Sequence, residues 1–230
     1  MLIEERRQKI LKYVESCGKA TVDELCAHVF ASAPTVRRDI TAMEKQGVIK
    51  KVYGGVMPPA AADREIPMSS REQESADAKK KMARRASELV RDGDVILLDG
   101  SSSAKALVPF LAQFKEIIVI TSGAKTAVEL AEAGVRSFCT GGKMLTRSFS
   151  YVGSHAEEFV RSVNADILFF SCHGFDEGVA TDLATDEVAL RRVMMKQAKR
   201  KILLCDKSKY GKRYMYNLCT ADEVDEVISE

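Results

Sequence analysis

The six cysteines of the chain (Cys17, Cys26, Cys139, Cys172, Cys205 and Cys219) are scattered, and no two form a C-x-x-C pair. That absence argues against a zinc site and gives no support to a disulfide framework. The thiols read instead as reduced and mostly buried, in a cytoplasmic protein. No apolar run reaches the length of a membrane span. Met1-Leu2-Ile3 gives way at once to Glu4-Glu5-Arg6-Arg7, which is not a signal peptide. No membrane partner, cofactor or metal is therefore expected. Net charge is also scarce: +2 over 230 residues is too little to argue nucleic-acid binding. Its distribution says more, since residues 1–57 carry +3 and the remainder −1. Proline is sparse as well, and three of the five prolines fall within residues 57–67.

The N-terminal stretch reads as three helices and a hairpin. Glu4 to Ser16 forms a first helix, with Ile10, Val14 and Cys17 on one face and Arg6, Arg7, Lys9 and Lys12 largely elsewhere, and Gly18 ends it. Thr21-Val22-Asp23-Glu24 is a capping box opening a second helix, with Val22, Leu25 and Val29 inward. After the turn Val29-Phe30-Ala31, Ser32 is the candidate N-cap of a third helix, its hydroxyl accepting from a first-turn amide. Pro34 lies where a missing N–H costs nothing. Val36, Ile40 and Met43 make one face apolar, while Thr35, Arg37, Arg38 and Thr41 lie on the others.

Alone, that third helix reads equally as a solvated amphipathic helix or as one that enters a major groove, where arginines bind guanine edges or phosphates. Two helices joined by a tight turn, with another before them, match a helix-turn-helix. Val48 to Val56 is β-rich and basic with a Gly54-Gly55 turn, and reads as a wing that offers Lys50, Lys51 and Tyr53 to DNA.

Here the pattern becomes specific. Arg6-Arg7-Gln8-Lys9-Ile10, Thr35-Val36-Arg37-Arg38-Asp39-Ile40, Gly47-Val48-Ile49 and Gly54-Gly55 resemble the winged helix of the DeoR family of bacterial sugar-metabolism regulators. Two family preferences are missing, both in the wing: Lys51 stands where arginine is commoner, and Tyr53 where histidine is commoner. Asp39 is read as pairing with a neighbouring arginine, because a free carboxylate facing phosphate would be repelled.

The proline-rich stretch from Met57 to Pro67 supports neither a helix nor a central strand. The expected organisation is a winged helix-turn-helix over 1–57, a stiff linker over 58–74 and an effector-binding domain over 75–230. From Ser75 apolar strands alternate with amphipathic helices, which implies a mostly parallel sheet in an α/β domain. A helix around Lys105 to Ala112 is expected to kink at Pro109. Ligands of such sheets bind beyond the carboxyl ends of the strands, which selects a few loops.

Asp99-Gly100-Ser101-Ser102-Ser103 could cradle an anion with amides and hydroxyls, while Asp99 accepts from sugar hydroxyls; it also reads as a small-residue turn with a serine cap. Thr121-Ser122, Gly141-Gly142, His173-Gly174 and Asp206 to Lys209 occupy equivalent positions after later strands. Of the three histidines only His173 is a candidate for ligand contact; His28 and His155 read as surface and structural residues.

The DeoR resemblance extends over this half, in the family's order. Asp99-Gly100-Ser101-Ser102-Ser103 stands for Asp-x-Gly-Thr-Thr, Thr121-Ser122 for Thr-Asn, Glu187-x-x-x-Arg191-Arg192 for Glu-x-x-x-Lys-Arg, and Asp206-x-Ser208-Lys209 for Asp-x-Ser-Lys, with Gly141, Gly142 and Gly153 also matched. The resemblance implies a fold of the ribose-5-phosphate isomerase type that binds a phosphorylated sugar or related metabolite. Arg191 in place of lysine removes a proton carrier but can bind phosphate bidentately, and its spacing also pairs it with Glu187 along a helix.

The leading expectation is a repressor of sugar-catabolism genes that binds double-stranded operator DNA as a dimer or higher homo-oligomer, under control of a phosphorylated sugar. The competing one is a sugar-phosphate isomerase-like enzyme with an accessory DNA-binding domain, using Asp99, Glu187, Asp206 and Lys209 as acid–base groups. A weaker third reading is a thiol-based redox regulator.

Overall fold

The computed structural model describes residues 2–52, 55–58 and 66–230, and the chain divides into two compact units between Ser70 and Arg71. In the first unit, α1 (Ile3–Cys17) carries Glu4 and Glu5 in its first turn, where they complement the helix dipole. It ends at Gly18, whose φ of +72° is left-handed and free of strain only for glycine. Ile10 and Val14 are fully buried. Cys17, expected beside them, is exposed at the last position of the helix. Arg6, expected off the inner face, is instead buried.

The capping box forms as expected at the start of α2 (Val22–Val29): Glu24 N donates to Thr21 Oγ1 at 3.2 Å, and Thr21 N donates to Glu24 Oε2 at 2.7 Å. The turn passes through Phe30, whose φ is +51°. Next comes α3 (Ala33–Lys45), with Pro34 in its first turn and Val36, Ile40 and Met43 buried. Ser32 holds the cap position, but its hydroxyl pairs with the Thr35 hydroxyl at 3.0 Å and caps no amide, which corrects the expected role.

β1 (Lys50–Val52) and β2 (Gly55–Met57) pair antiparallel as the wing. Val56 exchanges both backbone hydrogen bonds with Ala20 at 2.8 Å, so the hairpin is pinned to the α1–α2 connection. Tyr53 and Gly54 lie outside the described residues, as does most of the proline-rich stretch.

A short helix, α4 (Met68–Gln73), follows Pro67 inside the stretch expected to be linker. Then come α5 (Ala76–Ser87), β3 (Val95–Leu98), α6 (Ser102–Lys105), α7 (Val108–Leu111), β4 (Ile118–Thr121), α8 (Ala124–Glu132) and β5 (Ser137–Cys139). The single kinked helix expected around Pro109 is two helices, because the chain restarts at Val108 with proline in the new first turn. There follow β6 (Lys143–Leu145), β7 (Ser150–Val152), α9 (Ser154–Arg161), β8 (Ala165–Ser171), β9 (Gly174–Asp176), β10 (Val179–Asp182), α10 (Thr185–Gln197), β11 (Ala198–Leu204), β12 (Tyr216–Thr220) and β13 (Glu226–Ile228).

The central sheet has the order β13-β11-β8-β3-β4-β5, and every pairing in it is parallel. Strand alternation makes two cores. Ile96, Leu98, Val119, Phe169 and Leu204 pack against α5, α7 and α8. Leu97, Ile120, Leu168, Phe170 and Leu203 pack against α9 and α10. Apart from this sheet, β9, β10 and β12 form a small antiparallel sheet, and β6 pairs with β7 as a hairpin. This topology gathers the carboxyl ends of β3, β4, β8 and β11 at one edge.

Candidate functional site

Two regions concentrate charge that the hydrophobic cores do not account for. In the first unit, α3 buries its apolar face and exposes Arg37 and Arg38, whose side chains make no hydrogen bond or ion pair with the described residues. Asp39 points the other way. Its buried carboxylate accepts from Arg6 Nε at 2.6 Å and Arg7 Nε at 3.1 Å. The arginines it pairs with thus belong to α1, and the two on α3 stay free. Thr41 Oγ1 donates to the Arg37 carbonyl. Lys51 Nζ donates to Thr41 Oγ1 at 2.9 Å and lies 3.0 Å from Glu44 Oε2, so this wing lysine clamps the hairpin to α3. Lys50 is exposed on the same strand. His28 is exposed and stacks on Tyr13 with ring centroids 4.3 Å apart.

In the second unit the strand ends build a buried polar network. Arg191 on α10 donates from Nε to Asp99 Oδ2 at 2.7 Å, from Nη1 to Asp182 Oδ2, and from Nη2 to Glu187 Oε2 at 3.3 Å. Asp99 also accepts from Ser101 N at 3.1 Å and Ser171 N at 3.2 Å. His173 Nδ1 lies 2.8 Å from Asp182 Oδ1. Burial pushes the Asp182 carboxyl up, but Arg191 and His173 outweigh it and hold it well below the usual carboxylate range.

On the other side of Ser171, Lys209 Nζ donates to the Ser171 hydroxyl at 2.6 Å and the Ser103 hydroxyl at 3.3 Å, and lies 3.5 Å from Asp206 Oδ2. Gly100 is required here by space: a Cβ on it would collide with the Ser150 side chain.

These contacts revise two expectations. Asp99 is saturated by protein donors, so it frames the site and is not open to sugar hydroxyls. Arg191 is 4% exposed and ringed by three carboxylates, a field that repels phosphate. Ser102 and Ser103 are buried beside Ser101, which caps α6 by accepting from Ala104 N. Thr121 and Ser122 are buried at the end of β4, where Thr121 Oγ1 accepts from Gly123 N. Gly141 lies beside the His155 ring, and Gly142 beside the Val152 carbonyl and Ala156. Gly174 follows His173 with the Lys212 carbonyl pressed against it. A groove of about 550 Å³ lined by Phe114, Glu116 and Arg136 lies at the opposite, amino ends of β4 and β5, remote from this chemistry.

The two architectures are those of a known pair of domains. Residues 6–60 match the DeoR-like helix-turn-helix domain, and residues 74–230 match the DeoR C-terminal sensor domain. The chain belongs to the DeoR family. Among DeoR-type relatives, the HTH-type transcriptional regulator GolR of Listeria innocua is 33% identical over 98% of this chain and 90% of its own length. The HTH-type transcriptional repressor GlcR of Bacillus subtilis is 29% identical over 100% of this chain and 89% of its own. This DeoR-family chain is accordingly a DNA-binding transcriptional regulator, and the enzyme alternative is not favoured.

Among solved structures, eIF2B delta from Chaetomium thermophilum superposes with a TM-score of 0.52 at 17% identity, covering 70% of this chain and 59% of that one, a likeness of fold alone. Ribose 5-phosphate isomerase A from Methanocaldococcus jannaschii gives a TM-score of 0.45 at 16% identity, over 60% and 55% of the two chains.

Sequence reasoning missed several members of the DeoR sensor network. Ser171 and Asp182 are the polar last residues of their strands, Ser171 directly after the apolar run Ile167 to Phe170, a signal that was available. Lys79 shares a helical face with Met82, Ala83 and Ala86 and is 6% exposed, so the spacing alone marked it as inward. Cys172 and Cys205, distant in sequence, end neighbouring strands with their sulfurs 4.0 Å apart. The Cys172 thiol donates a hydrogen bond to the Cys205 sulfur, which lowers Cys205, aided by Lys209 against burial, and raises Cys172 together with burial.

Proposed function

We propose that the protein is a repressor of a sugar-catabolism operon that releases its operator when a phosphorylated sugar, or a related phosphorylated metabolite, binds the second unit. The observation that carries the DNA half is the pair Arg37 and Arg38, exposed and unengaged by described residues on a helix whose opposite face is fully packed. In this reading Thr35, Arg37 and Arg38 meet the major groove, helped by Ser32 and Thr41, while Lys50, Lys51 and Tyr53 lie along the backbone.

The effector half rests on the convergence of Lys209, Ser103 and Ser171 at the carboxyl edge of a parallel sheet, where such sheets bind ligands. Ser101, Ser102, Thr121, Ser122, Gly141, Gly142, His173 and Gly174 line that edge, with Asp99, Gly100, Glu187 and Arg191 as its frame. The repressor GlcR supports the direction of control. A symmetric operator calls for a dimer or a higher homo-oligomer, acting in the cytoplasm.

Release is allosteric only if the ligand favours one of two states over the other. The test is a gel shift on DNA from the protein's own promoter region. Folded protein is expected to shift it at low salt and to lose the shift with one of a panel of sugar phosphates; no shift at low salt ends the proposal.

A further inference from the structure

Among the described residues Phe30 is the most exposed of the large apolar side chains, at 95%. Its neighbours face the other way: Val29 is fully buried, and Ala31 packs against the core of the first unit. The backbone at Phe30 is left-handed, with φ of +51° and ψ of +48°. A helix end in that conformation ordinarily falls to glycine, and a bulky residue there is strained. The turn holds the strain in place, because the amides of Phe30 and Ala31 both donate to the Cys26 carbonyl. Two costs thus meet in one residue, a benzyl group in water and a left-handed backbone. A ring so exposed has almost no packing within the first unit to offset either. Strain of this kind collects at functional sites.

The position of the ring says what it meets. Phe30 lies in the turn between α2 and α3, three residues before α3 begins at Ala33. A helix-turn-helix lays its second helix in the major groove with the N-terminal residues on the base edges, so this turn stands at the mouth of the groove. We infer that the Phe30 ring is an apolar DNA contact, packing on a thymine methyl or on deoxyribose carbons beside the bases that α3 reads. The inference rests on the proposed reading of α3 as the helix that meets DNA. The ring adds what that helix lacks: Arg37 and Arg38 bind guanine edges or phosphates, whereas a thymine methyl takes an apolar partner. A second copy of the chain is a poorer occupant. Among the described residues no other large apolar side chain is exposed on α2, the turn or α3, so the ring has no patch around it for a protein partner to cover.

The experiment is anisotropy titration of the full-length protein, across salt concentrations, on the duplex from its own promoter region that wild type shifts. Wild type is compared with F30G, F30N and the double variant R37A/R38A. Glycine and asparagine both accept a left-handed backbone, so both Phe30 variants are expected to fold at least as stably as wild type while binding the duplex roughly tenfold more weakly. An apolar contact releases no counterions, so the loss should leave the salt slope unchanged. Replacing thymine by deoxyuridine separates the two sources. It weakens wild type more than F30G where the ring sits on a methyl, and affects the two alike where it sits on deoxyribose; either leaves the contact standing. Wild-type affinity in F30G overturns the contact. Wild-type affinity in F30N alone overturns it as well, by tracing the F30G loss to a loosened turn. So does a changed salt slope, which traces the loss to displaced cations, and so does a lower sedimentation mass for F30G at the assay concentration, which assigns the ring to a second copy. Weak binding by F30G with wild-type affinity in R37A/R38A defeats the reading of α3 and keeps the ring on DNA; weak binding by R37A/R38A alone does the reverse.

Discussion

Arg6 Nε donates to Asp39 Oδ2 at 2.6 Å, tying the first helix to the back of the recognition helix. Arg7 completes the group at 3.1 Å, so one buried carboxylate holds two arginines. Removing it leaves Arg6 buried without a counter-charge. Asp39→Ala is therefore expected to destabilise the first unit by about 3 kcal/mol. Hydrogen exchange of the α3 amides in urea would read that loss directly, and an unchanged exchange rate would dissociate the triad from stability.

Arg37 and Arg38 have the opposite profile. They hold nothing in place, so replacing either by alanine should leave folding stability within about 0.5 kcal/mol of wild type. Operator affinity should drop by about 1–3 kcal/mol for whichever arginine reads a base, with relaxed sequence preference at that position. The one that meets phosphate should weaken all DNA alike and flatten the salt dependence by about one unit. Anisotropy titrations on operator and scrambled DNA across salt concentrations distinguish the two.

Lys51 is a wing cation already engaged by Glu44 at 3.0 Å. Both groups are substantially exposed, so the pair is weak and DNA can compete for the lysine. Glu44→Gln frees the ammonium and removes a carboxylate near the phosphates. The expected result is several-fold tighter non-specific binding with a salt slope steeper by about one. A slope identical to wild type would place Lys51 away from the DNA.

The recognition helix and the parallel sheet were legible because both are written in local periodicity: Val36, Ile40 and Met43 at helical spacing, and the near-continuous apolar runs of β3, β4 and β8. The capping box at Thr21 and Glu24 was legible for the same reason, since both partners sit within four residues. What stayed hidden depends on pairing across long separations. Nothing near Asp39 in sequence announces that its arginines come from α1, 32 and 33 residues away. Nothing near Arg191 announces Asp99, 92 residues away. Arg191 was legible as a phosphate ligand because charge type was visible and its surroundings were not. The short β6–β7 hairpin and the β9-β10-β12 sheet were missed because three- to five-residue strands carry too few alternations to register a period.

Arg191 holds Asp99, Asp182 and Glu187 together, so Arg191→Met exposes three buried carboxylates to one another. The expected loss is about 3–5 kcal/mol at pH 7. Its pH dependence has a definite sign. In wild type the Asp182 carboxyl lies below its ordinary value of 3.8, so its contribution is complete above that value and fades only in stronger acid. In the variant burial acts on the Asp182 carboxyl with only His173 to oppose it, and that carboxyl takes up a proton more readily. The stability gap between the two proteins should therefore narrow as pH falls from 7 toward 4. Urea midpoints measured across that range would expose the trend, and a gap independent of pH would contradict it.

Lys79 titrates in a second window. Burial, reinforced by the charge of Lys209, lowers its ammonium from 10.5 to about 8. Below that value the folded and unfolded chains both carry the proton, and the folded state bears the full cost of the buried charge. Between about 8 and 10.5 the unfolded chain holds more protons, so stability contributed by this group rises with pH and then levels off. Lys79→Gln cannot titrate. The difference in Tm between wild type and K79Q should thus shift in favour of wild type from pH 8 to pH 10. A difference that stays flat from pH 7 to pH 10, with both proteins folded, would mean that Lys79 is not a buried ammonium repelled by Lys209.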